Sequence, residues 1–359
     1  MTTLKSSAQN DPPFDPSAAA ELLLQRRKIL VTAHVNPDGD ALGSLCALAR
    51  ICLGLGKEVR LVCQSEVPDF LSWVELPCPL YSGYAELGGW IPDLAVFLDC
   101  GRPERAGTDG KELARGNVPP AWGRVDILNI DHHGDNPRFG LVNFVEEKAG
   151  ATAELVGLLA ERLGLALSGP LGENIYLGLS ADSGNFSFSS ATPNLFSMAA
   201  RIVRNGLKVE EFIAKSENNW SPGRMRLWGE LLLHLRLFAE GRVVSVLITN
   251  DMLARYHCKP GDLEGLVSFV RHLRSVDVSL LVRERGEGSK ISLRSMGGAR
   301  SVNVQRVAAH LGGGGHRSAA AAELPLPPAA AEKAVLEILL PAVEEFSAAT
   351  LDEIGDSAL

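Results

Sequence analysis

No apolar run in the 359-residue chain approaches the roughly 20 residues that a membrane-spanning helix requires. The best candidate, 41–55, is broken by Gly43, Ser44, Arg50 and Gly54, so a soluble protein with no membrane partner is expected. Cysteine is sparse: Cys46, Cys52, Cys63, Cys78, Cys100 and Cys258 include no Cys-x-x-Cys pair. Most stand in apolar stretches, where Cys behaves as a small hydrophobe, and the pattern suits a reducing cytoplasm. An excess of positive charge is missing too. The formal net charge of −8 excludes a protein that coats long duplex nucleic acid through its overall field. Any anionic substrate must be drawn by a local patch or by metal. Aromatic residues make up only 6% of the chain, and Trp73, Trp90, Trp122, Trp220 and Trp228 show no stacking pattern, which reads them as packing residues. No P-loop, dinucleotide fingerprint or Ser-His-Asp nucleophile elbow is present, so Ser44 and Ser183 need no nucleophilic role. Residues 1–16 are polar, without the basic start and apolar centre of a signal peptide, and read as a loose tail.

What is present alternates. Apolar β-branched runs at 28–33, 58–63, 94–98 and 125–130 read as strands, separated by helical patterns such as 41–55, closed by Gly56. Further helices follow at 152–163, 172–179 and 193–205. This is the signature of an α/β fold around a parallel sheet. From 207 to 240 the pattern is helical and amphipathic without strands, which suits a connector. Strands then return at 242–248, 275–283 and 290–295, with helices at 261–271 and 302–311 and a glycine run at 312–315. A second, smaller α/β unit is expected, followed by a terminal helix and a frayed end at 348–359. A length beyond what one core usually serves agrees with this division.

The strand ends carry the chemistry. His34, Asp38 and Asp40 share the short loop His34-Val-Asn-Pro-Asp-Gly-Asp40 between a strand and a helix, the place where open α/β sheets form their sites. Helix capping accounts for one of those acids but not for all three residues together. Asp99 ends the strand 94–98, and Asp131-His132-His133 ends the strand 125–130. Asp182 ends an apolar helix, where the dipole disfavours an acid unless a cation compensates. Phe186 and Phe188 follow it, where base stacking and core packing fit equally. Five acids and their histidines on one predicted sheet edge would repel strongly, and two divalent ions resolve the conflict. Carboxylates with imidazoles suit manganese.

These motifs, His-x-Asn-Pro-Asp-Gly-Asp-Ala-Leu-Gly-Ser, Asp99 with Arg105, Asp-His-His and Asp-Ser-Gly, resemble those of the DHH phosphoesterase family. Gly312-Gly-Gly-Gly-His-Arg-Ser-Ala-Ala320 is similar to the glycine-histidine motif of its associated domain. One departure stands out: Ala321 occupies a position where the family often has glycine, which bears on a local turn. The resemblance spans about residues 28–324. It implies a DHH catalytic domain at 17–206, a helical linker at 207–240 and a DHH-associated, substrate-binding domain at 241–347. It further implies one metal held by His34, Asp38 and Asp99, and another by Asp40, Asp99, His132 and Asp182. Asp99 bridges them, His133 sits beside the phosphoryl group, and Arg105 supports the site.

Basic residues dominate 271–317, and most belong on a solvated face. Arg294 and Ser295 end a strand, however, and the glycine run bares backbone N–H groups beside His316, an arrangement suited to an anion. Arg294, Ser295, Gly314, Gly315 and His316 are therefore expected to bind substrate phosphate or nucleotide. The two-domain layout resembles the NrnA-type oligoribonucleases and phosphoadenosine-phosphate phosphatases. It implies a cytoplasmic enzyme with two divalent ions, manganese first, that directs water at phosphorus in very short RNA or in 3′-phosphoadenosine 5′-phosphate. A cleft between the domains would admit only short substrates. Cleavage of cyclic dinucleotides fits the same motifs. A pyrophosphatase fits the metal motifs but not the glycine-histidine motif, and a non-catalytic nucleotide sensor is disfavoured by the intact ligand positions. Nothing in the chain decides between a monomer and a homodimer.

Overall fold

The computed structural model describes residues 14–218, 220–296 and 301–356. The chain divides into two compact units after Asn218.

The first unit runs α1 (Ser17–Gln25), β1 (Lys28–Ala33), α2 (Gly39–Gly54), β2 (Glu58–Val62), β3 (Leu80–Tyr81), β4 (Leu94–Leu98), α3 (Gly107–Ala114), β5 (Asp126–Asp131), β6 (Val142–Val145), α4 (Thr152–Arg162), α5 (Gly169–Asp182), α6 (Pro193–Arg204) and α7 (Val209–Ser216). Its strands form one six-stranded sheet in the order β3-β2-β1-β4-β5-β6, with every pair parallel. A parallel sheet must be covered on both faces, and β1 shows how the sequence satisfies this. Ile29, Val31 and Ala33 enter a core shared with α2, α4 and α5, while Leu30 on the opposite pleat joins Phe97, Ala106 and Leu113. Connections leave in opposite directions from β1 and β4, which lie side by side. That reversal of strand order opens a crevice at the carboxyl ends of these two strands.

The second unit contains α8 (Pro222–Leu233), β7 (Arg236–Phe238), β8 (Val243–Ile248), α9 (Asn250–Arg255), α10 (Leu266–Phe269), β9 (Val278–Arg285), β10 (Gly288–Ser295), α11 (Val304–His310), β11 (Gly314–His316), β12 (Ala319–Leu324) and α12 (Pro328–Asp356). Its sheet has the order β11-β12-β10-β9-β8-β7, and only β8 and β9 pair in parallel. α11 and α12 cover one face; α8, α9 and α10 cover part of the other.

Several expectations are corrected. Residues 207–240 are not one helical connector. Phe212 of α7 is buried in the first unit against Trp73 and Tyr176, whereas Leu227, Trp228 and Leu231 of α8 build the core of the second, and 236–238 form an edge strand. The expected frayed end is helical through Asp356; residues 1–13 and 357–359 of the two tails, and Arg300 of the basic stretch, lie outside the described residues. Helix 261–271 breaks into short turns around α10. Trp220, just before α8, and Trp228 within it meet at 4.5 Å between centroids with their planes tilted by 59°, and both pack into the core of the second unit, as packing residues should. The glycine run is strand rather than loop from Gly314 onward. A Cβ at Gly315 would lie 2.4 Å from the Ala319 carbonyl oxygen, so the residue is required for close approach to β12 as well as for its φ of +135°. Ala321 stands within β12 opposite Gly314 and Ser292, so no turn depends on it.

Candidate metal centre

At the exit of β1 the chain turns through Asn36, a left-handed residue with φ +53°, and enters α2 through Asp38. The Asp38 carboxylate divides its work. Oδ1 accepts from the Asp40 and Ala41 amides at 3.0 Å each and caps the helix, while Oδ2 lies 3.7 Å from His34 Nε2. Capping and cluster membership are thus compatible in one residue. At the exit of the neighbouring strand β4, Asp99 adopts φ +56°, a conformation that Asp tolerates better than most side chains and that is typical of strained functional positions. Its carboxylate is buried and faces both ways. Oδ2 is 3.4 Å from His34 Nε2, and Oδ1 is 3.6 Å from His132 Nε2 and accepts from Thr152 Oγ1 at 3.0 Å.

His34 and His132 are built alike. Each donates Nδ1–H to a backbone carbonyl, His34 to Val35 at 3.0 Å and His132 to Ala149 at 3.3 Å. A carbonyl can only accept, so Nδ1 is the donor in each ring and Nε2 is the atom turned to the carboxylates, the place of a proton or of a cation. His132 Nε2 lies 3.0 Å from Asp182 Oδ2. His34 Nε2 is buried and has no hydrogen-bond partner among the described residues. A buried imidazole nitrogen turned to two acids without a hydrogen bond, its ring fixed through Nδ1, is the arrangement of a metal ligand. Two groups, His34 with Asp38 and Asp99, and Asp40 with His132 and Asp182, each bring their ligand atoms within 4.8 Å of one another, and these donor sets fit divalent cations.

Asp40 joins this cluster from the first turn of α2. It accepts the Thr152 amide at 2.6 Å and the Ala153 amide at 2.9 Å, and so supplies the cap that α4 lacks from its own Ala151. The approach of α5 that brings Asp182 near depends on Gly178, where a Cβ would stand 2.5 Å from Asp40 Oδ1 and 2.4 Å from the Ala153 Cβ.

The electrostatics are those of a site built around cations. Burial pushes the Asp40 carboxyl well above its ordinary range, and the charges of Asp99 and Asp182 push the same way. Burial likewise raises Asp182, with Asp38 and Asp99 adding to it against His132. Burial would raise Asp99, but the adjacent His34 imidazole, joined by His133 and His132, holds it far below the carboxylate range. Burial would lower His34 and His132, yet their carboxylate neighbours lift both well above the usual imidazole value. Protons therefore gather where divalent charge would otherwise sit.

His133 is oriented rather than crowded. Its Nε2 lies 3.0 Å from Nη1 of the exposed Arg105, which can only donate, so Nδ1 carries the proton and donates it to Asp131 Oδ1 at 2.8 Å. Asp131, quoted in the Asp-His-His motif but left without a role by sequence reasoning, is fully buried. Its Oδ2 accepts from Asn136 Nδ2 at 2.6 Å, and Asn136 is locked in that orientation because its Oδ1 accepts from Asn129 at 2.9 Å and from the Arg138 amide at 2.8 Å. In Asp131→Asn the new amide must turn its oxygen to Asn136 and its NH2 to His133, which inverts the imidazole tautomer against Arg105. Turnover is expected to fall about 10- to 100-fold with metal content unchanged, measured by steady-state kinetics beside elemental analysis. Near wild-type turnover would remove Asp131 from the site.

Phe186 packs between Tyr176 and Phe196 at 5.6 and 5.4 Å and belongs to the core edge rather than to a base site. In the second unit, Arg294 of β10, Ala319 of β12 and His316 of β11 stand in one transverse row and so on one face of the sheet. Gly314, Gly315 and His316 are exposed. Ser295 is corrected: it lies on the opposite pleat with Ile291 and Leu293, fully buried, because successive strand residues alternate faces. No helix among the described residues is long and apolar enough to cross a membrane.

The matches to known proteins fall on both units. Residues 28–179 match the DHH family, N-terminal domain, and residues 243–346 match the DHHA1 domain. The protein is a hydrolase acting on phosphoester bonds. It belongs to the DHH family, as its similarity to the bifunctional oligoribonuclease and PAP phosphatase NrnA of Thermus thermophilus shows: 33% identity over 296 residues, 82% of this chain and 84% of that one. The protein of the same description from Mycoplasma pneumoniae is 27% identical over 305 residues, 83% of this chain and 87% of its own. Among solved structures, an exopolyphosphatase-related protein from Bacteroides fragilis shares the fold with a TM-score of 0.80 at 27% identity, over 92% of this chain and 95% of that one.

Proposed function

We propose that the chain is a manganese-dependent enzyme that hydrolyses very short oligoribonucleotides and 3′-phosphoadenosine 5′-phosphate. The observation that carries the reading is the Asp99 carboxylate, which turns one oxygen to His34 and the other to His132 and so would serve both groups of donors. In this reading His34, Asp38 and Asp99 hold one ion, and Asp40, Asp99, His132 and Asp182 hold the other. When bound, such ions neutralise phosphoryl charge and make water a nucleophile at neutral pH. Around them, Arg105 binds and orients the phosphoryl oxygens, His133 holds the Arg105 guanidinium in place through Nε2, and Asp131 keeps His133 in that tautomer. Arg294, Gly314, Gly315 and His316 hold the distal phosphate or nucleotide, and the names of the relatives that span both units support this choice of substrate.

The test is a parallel assay of the purified protein with manganese on RNA dinucleotides, 3′-phosphoadenosine 5′-phosphate, cyclic dinucleotides, pyrophosphate and a nitrophenyl phosphodiester. Hydrolysis of the first two is expected. His316→Ala is expected to cost roughly 10- to 100-fold in kcat/KM on the dinucleotide and far less on the nitrophenyl ester, which is too short to need the second unit. Exclusive turnover of pyrophosphate or of cyclic dinucleotides would overturn the substrate assignment, and equal losses on both esters would overturn the division of labour.

A further inference from the structure

The second unit carries an aromatic ladder that the metal centre does not use. Trp220 and Trp228 meet at 4.5 Å between centroids and 59° between planes, Trp228 and Phe269 at 5.5 Å and 59°, and Phe269 and His272 at 5.7 Å and 54°. The inner end is locked. The buried Arg224 guanidinium lies 4.0 Å from the Trp220 ring centroid and 5.5 Å from that of Trp228, and Arg224 Nη2 donates to the Glu264 carbonyl at 2.8 Å. The outer end is open: Phe269 is 48% exposed, and His272 and Arg274 are exposed beside it.

Its position in the sheet says what it serves. Ser279 of β9 donates its hydroxyl to the Val267 carbonyl at 2.6 Å, which pins α10 over β9. Ser279 also pairs directly with Arg294, and Arg294 leads through Ala319 to His316. α10 is therefore anchored on the face that carries the proposed anion row, over the strand that pairs with Arg294. Adjacent strands are about 4.8 Å apart, so the row from Arg294 to His316 spans roughly 10 Å, with only the methyl of Ala319 between. From the turn that follows Phe269, Arg271 reaches back to donate to the Ser295 carbonyl, and burial together with the nearby Arg294 charge lowers its own pKa. An aromatic face beside clustered guanidinium groups is the combination by which proteins hold single-stranded nucleic acid, bases on rings and phosphates on cations.

We infer that Phe269, supported by the ladder and flanked by His272, is a stacking platform for a nucleobase of the RNA substrate, whose phosphate lies on the Arg294–His316 row. The inference rests on short RNA being the substrate, and it adds a base-binding position to an otherwise phosphate-directed unit. Stacking on one ring is sequence-tolerant, since every base offers a π face, so the platform favours nucleotides over simple phosphate esters without selecting a sequence.

The experiment uses the full chain in chelator, where no turnover occurs, titrated against RNA dinucleotides carrying 2-aminopurine at each position in turn. In the wild type, fluorescence at one position is quenched on binding. Phe269→Ala and Phe269→Leu abolish that quenching and weaken binding roughly 5- to 150-fold, whereas Phe269→Trp keeps both. A dinucleotide made abasic at that position binds the wild type and Phe269→Ala equally. Melting temperatures confirm that the variants fold, as expected for a half-exposed residue. Absent quenching in the wild type, unchanged binding by Phe269→Ala, full binding by Phe269→Leu, or an equal loss on the abasic ligand would each overturn the platform. The two readings fail differently. Manganese-loaded wild type that leaves RNA uncut sinks the substrate assignment, while intact RNA turnover without quenching sinks only the platform.

Discussion

Asp99→Asn is expected to abolish hydrolysis while leaving the fold intact. Asparagine is the conservative probe here because it accepts the left-handed backbone of φ +56° nearly as readily as aspartate does and can still accept the Thr152 hydroxyl through its amide oxygen. What it removes is the negative charge that stands between His34 and His132. No neighbour can substitute, because Asp38 stands with His34 and Asp40 with His132 and Asp182, whereas Asp99 meets both imidazoles. Loss of a single stabilising donor costs an enzyme about 10²- to 10³-fold, and a carboxylate shared by two cation sites should cost more. The measurement is kcat/KM in saturating manganese, with circular dichroism and metal content alongside. A variant within tenfold of wild type would show that Asp99 bridges nothing.

Chelation is expected to have the second large effect. The buried acids and imidazoles of the centre repel or hold protons without cations, and an ion that binds only the native state stabilises it by mass action. At a free concentration about 100 times the dissociation constant, the gain is about 2.7 kcal/mol per site, or roughly 5–10 °C in a unit of this size. Activity should vanish with chelator and return with manganese. The gain must also depend on pH, with a definite sign. His34, His132, Asp40 and Asp182 all hold protons above their ordinary ranges in the metal-free cluster, and a bound cation must displace them. Metal binding therefore releases protons and strengthens as pH rises. The manganese-induced rise in Tm should be larger at about pH 8 than at about pH 6, as scanning fluorimetry would read it. Identical melting curves with chelator and with manganese would mean that these side chains form no preformed metal site.

Much of this was legible in the chain because the relevant signals are local. Strand runs such as 94–98 are apolar on both pleats, as a parallel sheet demands, and the residues that leave them are charged. Since sites of open α/β sheets gather at the carboxyl ends of strands, His34, Asp38, Asp40, Asp99 and the His132-His133 pair could be placed on one edge before any coordinates. Asp182 was legible for a different local reason, an acid at the wrong end of a helix dipole.

Contacts between residues far apart in sequence were decided only by tertiary structure, since no local propensity encodes them. The carboxylate of Asp40 caps a helix that starts 112 residues later, and Gly178 is glycine because α5 must pass that carboxylate within a methyl's breadth. Asp131 gains its role from Asn136, which donates to its second oxygen and is itself held by Asn129. In the second unit, pleat alternation withdrew Ser295 from the face that presents Arg294, and strand register carried His316 into the same row. Trp228 of α8 meets Phe269 of α10 only once the two helices pack together. Sequence by itself determined which groups could do chemistry, because side-chain type and element ends are local properties. Folding decided which of them meet, because loop closure and packing act between residues that no sequence window contains.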